Sequence, residues 1–436
     1  MTMMLVRGET LAILILIGGF LLLLLFRVPI ALSLAVASLA TGIYLGIDPA
    51  AIVQRMVAGL NSFSLLAIPF FILAGEIMNE GGISRRLINL ANVMIGKIRG
   101  GLALVSVLSS TLFGGISGSA LADTSSTGSV LIPMMKKQKY HTDFAVSVNI
   151  TSSVQGVLIP PSHNMIIYST AAGGVSIGGL FMGGLIPGLI LGLAIMVLTY
   201  AIAVKRNYPK GEAIKKEDIP KIVWDGVLGL FTVVIILGGI LSGLFTATES
   251  AAIGTLYAFI ITFFVYRDIR ISRMGVILKR TFRTLSMVLF LIGASSGFGW
   301  LLALLEVPAM VADGMIGFSP NNFVTILMIL FIILLLGMVM DMAPLILILT
   351  PILLPVATSI GMDPVHFGVV LMLALGVGLV TPPVGSVLFV GSAIGKISIE
   401  KASKGMLPFY GVMILILLLI AFIPGISLFL PDILGQ

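Results

Sequence analysis

The feature that most constrains this chain is the recurrence of long apolar runs from one end to the other. Runs of about 20 apolar residues, the length at which a helix crosses a hydrocarbon core, follow one another throughout the sequence. Hydrophobic residues make up 58% of the 436 residues and charged residues only 10%. In hydrocarbon every backbone polar group must be satisfied within the protein, which a helix does by itself. The sequence therefore predicts an all-α polytopic membrane protein surrounded by membrane lipid.

The charges fit this prediction better than they fit nucleic-acid binding. The net charge is +7, but Lys and Arg are spread over short loops between apolar runs, where they set the orientation in the membrane. The first run, 9–26, is followed by Arg27 and another apolar run rather than by a cleavage site of small residues, so we expect a retained span. The chain has no cysteine, which excludes disulfides and cysteine-ligated metals. We expect no nucleic-acid partner.

The loops predict which side of the membrane each connection faces. Short loops rich in Lys and Arg stay in the cytoplasm, and such loops occur at 85–99, 136–139, 205–221, 267–283 and 396–404. Connections with almost no basic residue are expected outside, and these are 173–179, 306–320 and 361–366. Counting spans between these loops places both termini on the outer side.

A re-entrant hairpin is predicted between two of the cytoplasmic loops. Because Arg99 and Lys136 both lie inside, segment 101–135 must enter the membrane and return. Its predicted arms, 101–116 and 125–135, are too short as helices to cross a core of about 30 Å. The polar tip FGGISGSALADTSSTG is therefore expected at bilayer depth, where Asp123 either handles a polar cargo or ion, or caps the second arm.

The next span, 143–172, is broken by Pro160 and Pro161. Two adjacent prolines remove two backbone donors and disfavour helix in the residue before them. Backbone groups freed in this way are tolerated in a membrane only when they are buried in protein or line a wet cavity. A cavity is therefore predicted at this break.

The second half of the chain repeats these features at a nearly constant offset. The corresponding positions are Asp123 with Asp341, Pro133 with Pro351, and Pro160–Pro161 with Pro382–Pro383. Each half then has five spans and one hairpin, and the odd number of spans inverts the second half. The first predicted repeat is 1–204, with scaffold helices 9–79, hairpin 101–135 and broken helix 143–172. A cytoplasmic linker, 205–221, leads to the second repeat, 222–436, with scaffold helices 222–266, hairpin 321–359 and broken helix 365–394.

Inverted repeats with paired discontinuous helices are the architecture of secondary transporters, whose substrate and ion sites lie at mid-membrane. Half-helix N-termini suit a carboxylate, and freed backbone carbonyls suit sodium. The sequence therefore predicts an elevator-type transporter, in which the hairpins and broken helices carry the site past a fixed scaffold.

The candidate site residues are the polar, glycine and proline positions that the two halves bring to this depth. Those expected to contact substrate are Ser117, Ser119, Ser162, Asn164, Thr381 and Ser386. Those expected to bind sodium through carbonyl or hydroxyl oxygens are Gly114, Ser117, Ser119 and Pro160 in the first half, and Gly337, Asp341, Gly378 and Thr381 in the second. Those expected to shape the hairpins and breaks are Asp123, Pro133, Pro161, Pro351, Pro382 and Pro383. Na⁺ is the expected coupling ion, with no organic cofactor.

Several motifs together resemble the large membrane subunit of tripartite ATP-independent periplasmic (TRAP) transporters, in the ion-transporter superfamily. The motifs are AIPFFILAG at 67–75, the tip through 123–133, IPPSHN at 159–164, TATESAA at 246–252, 337–351 and TPPVG at 381–385. The resemblance implies sodium-driven uptake of an organic acid, such as sialic acid or another sugar acid or a C4-dicarboxylate, across the bacterial inner membrane. Both termini are then periplasmic, and the protein is not an enzyme.

The resemblance also implies two partners. One is a soluble periplasmic binding protein that delivers the substrate, and the other is a small four-helix membrane subunit. No such four-helix extension precedes Glu9, so we expect the small subunit to be a separate polypeptide.

Three alternatives remain open at this point. A stand-alone sodium/dicarboxylate-type symporter would need neither partner. An intramembrane protease is suggested by GISG at 115–118 with His163 in a neighbouring element, because a serine nucleophile needs a base within hydrogen-bond reach. A channel is the third. Nothing in proteolysis requires the second proline pair or the inverted duplicate.

Overall fold

The computed structural model describes residues 9–211, 214–318 and 321–435, and the chain is helical through most of them. These described ranges contain no β-strand, only an isolated bridge between Arg99 and Lys210. This confirms the predicted all-α membrane fold. The two predicted periplasmic termini lie outside the described residues, as do 212–213 of the predicted linker and 319–320 of a predicted outer loop.

The helices are numbered here in chain order. Those before the predicted linker are α1 (Glu9–Leu25), α2 (Ile30–Tyr44), α3 (Pro49–Ala58), α4 (Ala67–Glu80), α5 (Ile83–Ile95), α6 (Gly101–Ser117), α7 (Ala120–Lys137), α8 (Thr142–Ser153), α9 (Gln155–Leu158), α10 (His163–Ala171) and α11 (Ile177–Lys205). Those after it are α12 (Ile219–Leu241), α13 (Ala247–Tyr266), α14 (Ile271–Leu304), α15 (Val307–Phe318), α16 (Asn322–Gly337), α17 (Met342–Ser359), α18 (Pro364–Leu379), α19 (Ser386–Gly395), α20 (Ile399–Phe422) and α21 (Gly425–Leu434).

Six of the described helices are long and apolar enough to cross a membrane by length and composition: α11, α12, α13, α14, α17 and α20. Shorter apolar helices of 10–17 residues include α1, α2, α6, α16, α18 and α19. A helix as short as α6, with 17 residues, spans only about 26 Å at 1.5 Å per residue, against a hydrocarbon core of about 30 Å. A helix that ends within the hydrocarbon core needs other parts of the protein to cover its end.

The first predicted hairpin consists of α6 and α7, which pack against each other and against α8. Helix α7 begins at Ala120, earlier than the predicted start at 125, because the Ser119 hydroxyl caps it by accepting from the Ala122 backbone nitrogen at 3.3 Å. The interpretation of Asp123 as the cap is therefore wrong. Asp123 lies within the first turn, where the helix dipole favours an acid. The tip between the helices is only Gly118 and Ser119.

Close backbone contacts hold this tip against the proline break between α9 and α10. A Cβ on Gly118 would lie 3.0 Å from the Ser162 Cα, and a Cβ on Gly114 would lie 2.8 Å from the Gly156 Cα. Gly118 also has a φ of +59°, which favours glycine. A side chain at either glycine would push the tip and the break apart.

The second half has a comparable contact between the α16–α17 pair and the break between α18 and α19. The backbone nitrogens of Val384 and Gly385 both donate to the Met338 carbonyl oxygen at 3.1 Å. A Cβ on Gly378 would lie 2.6 Å from the Gly337 carbonyl carbon. In each half, therefore, a hairpin tip touches a proline break.

Candidate functional site

Two of the predicted site residues line a cleft of about 250 Å³ at the first hairpin tip. They are Ser117 and Ser119, both half-buried. One wall of the cleft comes from α6, α7 and the start of α10, and the facing wall comes from α4 and α14. The lining residues are Phe71, Ile72, Gly75, Glu76, Asn79, Phe113, Ser117, Ser119, Leu121, Ala122, His163, Thr284 and Val288. Its size and mixed polar and apolar walls suit a small organic molecule.

Two helix N-termini meet at this cleft. Helix α7 begins at Ala120 and α10 begins at His163, on either side of the contact between Gly118 and Ser162. The first turn of a helix has unpaired N–H groups and a partial positive charge, so both ends favour an anion. The Ser119 hydroxyl accepts from the Ala122 backbone nitrogen at 3.3 Å, so its hydrogen can be donated to an anion. The Ser117 hydroxyl makes only long contacts of 3.4 Å, to the Ser119 carbonyl oxygen and the Ser119 backbone nitrogen, so its hydrogen can turn to an anion at a shorter distance. The arrangement can hold a carboxylate without an arginine.

Ser162 and Asn164 lie next to the cleft but do not line it. Ser162 is fully buried and its hydroxyl oxygen has no hydrogen-bond partner. Asn164 is also buried, and its side-chain nitrogen donates to the Met342 sulfur at 3.4 Å. Their contact with substrate stays a prediction.

The predicted residues of the second half lie at its own tip and break, away from the first cleft. The Thr381 hydroxyl donates to the Val377 carbonyl at 2.6 Å, so its lone pairs remain available. The Ser386 hydroxyl oxygen is buried without a partner. Asp341 is exposed at the N-cap position of α17 and makes no capping hydrogen bond. Asp341 thus differs from its buried counterpart, Asp123.

The predicted sodium ligands offer only oxygen atoms, which fits a hard cation. The Gly114 carbonyl accepts from the Gly118 nitrogen at 3.0 Å, and the Ser119 carbonyl accepts from the Asp123 nitrogen at 3.0 Å. The Gly114 carbonyl oxygen keeps a second lone pair for an ion, whereas the Ser119 carbonyl oxygen also accepts from the Ser117 hydroxyl at 3.4 Å. Pro160 lies in the break, outside helical hydrogen bonding. The residues present therefore fit sodium binding through carbonyl and hydroxyl oxygens.

The cleft also contains residues that sequence reasoning missed. Glu76 and Asn79, on α4, and Thr284, on α14, line it together with the two tip serines. Glu76 gave a usable signal, because an acid inside an apolar span marks a functional site by default. Asn79 and Thr284 gave none, since their orientation depends on how α4 and α14 pack against the hairpin.

A larger polar cleft, of about 850 Å³, lies beside the first one between α5, α7 and α12, and Asn79 lines both. Arg86 at its edge pairs with Asp268 at 2.5 Å and lies 3.7 Å from the centre of the Tyr266 ring. Its basic residues belong to the loops predicted to face the cytoplasm.

A family model described as the tripartite ATP-independent periplasmic transporter, DctM component, matches residues 17–426. The chain belongs to this family. It is the large permease of a TRAP transporter, a multi-pass membrane protein for organic-acid uptake, and permeases of this family are not enzymes. TRAP large permeases work with a small membrane subunit and a periplasmic binding protein. The resemblance found in the motifs is confirmed.

Related proteins match this permease along almost its whole length. SiaM of Vibrio cholerae, a sialic acid TRAP transporter large permease protein, is 40% identical over 95% of this chain and 97% of its own. DctMQ of Oleidesulfovibrio alaskensis, an isethionate TRAP transporter permease protein, is 39% identical over 95% of this chain and 66% of its own. The solved structure of MtrF from Neisseria gonorrhoeae has a TM-score of 0.63 at 14% identity, covering 97% of this chain and 95% of that one. That likeness shows a shared fold.

The protease alternative loses its basis in this permease. Ser117 and His163 do share the cleft, but the family to which the chain belongs consists of transport permeases.

Proposed function

We propose that this permease takes up an organic acid across the bacterial inner membrane by sodium-coupled secondary active transport. The observation that carries the proposal is the first cleft, where the Ser117 and Ser119 hydroxyls and two helix N-termini form an anion site. The site lies between the hairpin and helices α4 and α14, so movement of the hairpin would change its access.

The mode of movement is an elevator built from two inverted repeats. Two crosswise contacts support it, because α10 of the first half packs against α17 of the second, and α19 of the second packs against α7 of the first. Asn164 contacts Met342 along the first of these interfaces. Paired contacts of this kind would allow both hairpins and both broken helices to move as one body past the scaffold helices 9–79 and 222–266.

Sodium is the coupling ion, with one site in each repeat. The first site uses oxygens near Gly114, Ser117, Ser119 and Pro160, and the second uses oxygens near Gly337, Asp341, Gly378 and Thr381. The contact of a tip with a break in each half supports the pairing. Uptake should depend on sodium with a Hill coefficient above one. Unchanged uptake after full replacement of sodium by choline would contradict the assignment.

The substrate is sialic acid or another sugar acid, or a C4-dicarboxylate. The name of SiaM supports the first, and the hydroxyl-rich tip without arginine suits several acids. A periplasmic binding protein delivers the acid to the outer face near 306–320 and 361–366, and a small four-helix subunit anchors the scaffold. Both termini face the periplasm.

The alternative is a stand-alone symporter, which needs neither partner. Reconstitution distinguishes it from the proposed three-component transporter. We expect the permease with its small subunit and loaded binding protein to accumulate substrate in proteoliposomes. Equal uptake of free substrate by the permease alone would show that the partners are not required.

Substitution at the cleft tests the proposed site. Ser117→Ala should impair uptake while expression and partner assembly stay normal, because it removes a hydroxyl from the anion site. Ser129→Ala is a matched control, since Ser129 is exposed on α7 and its hydroxyl donates to the Ser126 carbonyl at 2.8 Å. Wild-type uptake by both variants would remove Ser117 from the site.

A further inference from the structure

Asp123 is fully buried on α7, and neither of its carboxylate oxygens has a hydrogen-bond partner. It takes part in none of the ion pairs among the described residues. The hydroxyls of Ser110 on α6 and Thr127 on α7 lie beside it. Whether these hydroxyls can serve the carboxylate depends on where their hydrogens go.

The hydrogen of Ser110 is directed away from Asp123. The Ser152 hydroxyl, on α8, donates to the Asn149 carbonyl at 3.0 Å, which uses its only hydrogen. The hydroxyl oxygens of Ser110 and Ser152 are 3.1 Å apart, and with the Ser152 hydrogen on the Asn149 carbonyl the donor of that pair is Ser110. Ser110 therefore presents lone pairs, and no hydrogen, to the carboxylate.

The hydrogen of Thr127 is also committed. The Thr127 hydroxyl donates to the backbone carbonyl of Asp123 at 2.8 Å and accepts from the Asn149 side-chain nitrogen at 2.9 Å. The second hydrogen of that amide is directed to Ser106, at 3.4 Å. Neither Thr127 nor Asn149 therefore has a hydrogen left to donate to the Asp123 carboxylate.

The two hydroxyls beside the Asp123 carboxylate, on α6 and α7, therefore face it with lone pairs. A buried carboxylate without a donor or a positive partner is strongly disfavoured, so a positive charge must be present when the group is ionised. A proton on one carboxylate oxygen of Asp123 can make a hydrogen bond to only one neighbouring oxygen. A sodium ion can bind both carboxylate oxygens and the Ser110 hydroxyl oxygen at once. No cluster of three His, Asp or Glu side chains occurs in the described ranges, so the oxygens suit a monovalent ion rather than a divalent metal.

We propose that Asp123 and Ser110 form a buried sodium site, separate from the two sodium sites assigned to the hairpin tips. Ser110 lies two helical turns before Ser117, which is about 10 Å along α6 at 1.5 Å per residue. An ion here would link α6, α7 and α8 and would travel with the hairpin. Its part in transport rests on the proposed function, but binding of the ion does not.

Binding can be measured without transport. The permease with its small subunit is purified in detergent, and its thermal unfolding is followed in sodium chloride and in choline chloride at equal ionic strength. Sodium should raise the wild-type midpoint. In Asp123→Asn the rise should shrink, while the midpoint in choline should equal or exceed that of wild type, because the amide can donate to Ser110. Asp313→Asn, an exposed site on α15, is the charge-matched control and should keep the full rise.

A second variant covers the case in which Asp123→Asn does not fold. Ser110→Ala keeps the carboxylate but removes a ligand, so the sodium concentration for half-maximal stabilisation should rise at least threefold. In proteoliposomes, the ratio of ²²Na⁺ to substrate should fall by one in Asp123→Asn. An undiminished sodium shift in Asp123→Asn, or an unchanged half-maximal concentration in Ser110→Ala, would overturn the site. If sodium drives uptake while both variants bind it normally, only this inference fails, whereas uptake independent of sodium defeats the proposed function.

Discussion

The hydroxyl of Tyr168 donates a hydrogen bond of 2.6 Å to the carbonyl oxygen of Pro364. Tyr168 is a fully buried residue of α10, and Pro364 is the first residue of α18, so the bond joins the broken helices of the two halves. An elevator body that moves as one unit needs such fixed contacts between its parts.

Tyr168→Phe should lower the stability of the permease by about 1 kcal/mol, because the ring still fills its space but the carbonyl loses a partner. Thermal unfolding in detergent measures the effect. Tyr200→Phe serves as the control, since Tyr200 is 45% exposed on α11. Equal midpoints for both variants would show that the Tyr168 bond does not stabilise the joined halves.

The start of α18 offers a separate test of the same region. The Asp363 carboxylate caps the helix by accepting from the Val365 nitrogen at 2.7 Å and the His366 nitrogen at 3.2 Å. Asp363→Ala should lower the free energy of unfolding by about 1 kcal/mol. Asp363→Asn should retain most of the stability, since both Asp and Asn cap well. Thermal midpoints of the two variants check this. A loss as large in the Asn variant as in the Ala variant would contradict capping as the cause.

Where the second proline break meets its hairpin tip, only a glycine fits at position 378. A Cβ on Gly378 would lie 2.6 Å from the Gly337 carbonyl carbon, which is backbone and cannot turn aside. Gly378→Ala should therefore lower the free energy of unfolding by about 1–3 kcal/mol, as overpacking does. It should also weaken uptake, because the added methyl group pushes the tip and the break apart. Gly411→Ala is the matched helical control, because nothing lies within 4 Å of a Cβ there. That variant should be neutral or stabilising, since alanine favours helix.

The sequence predicted the features that rest on strong local signals. Apolar runs gave the helices, and the two proline pairs gave the breaks between α9 and α10 and between α18 and α19, because proline cannot continue the backbone hydrogen bonding. The family followed from motifs spread over the chain.

The features that the sequence did not predict depend on competition between local signals and on how the helices pack. The run from Ala120 to Thr127 looks like loop by composition, but a cap at Ser119 makes it helical. Asp123 and Asp341 hold equivalent positions in the sequence, yet one is buried and the other exposed. Burial is set by the neighbouring helices, and α6, α8 and α19 all pack against α7, which carries Asp123. The face of α4 that carries Glu76 is fixed in the same way.

The last prediction concerns movement of the hairpin past the scaffold. The hydroxyls of Ser84 and Ser126 are 2.6 Å apart, which places α7 against the first turn of α5, directly after α4. Helix α5 lies outside the proposed scaffold helices 9–79 and 222–266, so this contact must break in an elevator whose α5 stays with α4 while the hairpin moves. The chain has no cysteine, so the pair Ser84→Cys and Ser126→Cys can form a single disulfide on oxidation.

Oxidation of this double variant should abolish uptake in proteoliposomes, and a reductant should restore it, because the disulfide holds α7 in one position. Each single variant under the same oxidant is the control and should transport as it does when reduced. Cross-linking is measured by the shift on a gel after cleavage between the two cysteines. Complete cross-linking with undiminished uptake would mean that α7 does not leave α5 during transport, and an elevator with α5 fixed to the scaffold would then have to be abandoned.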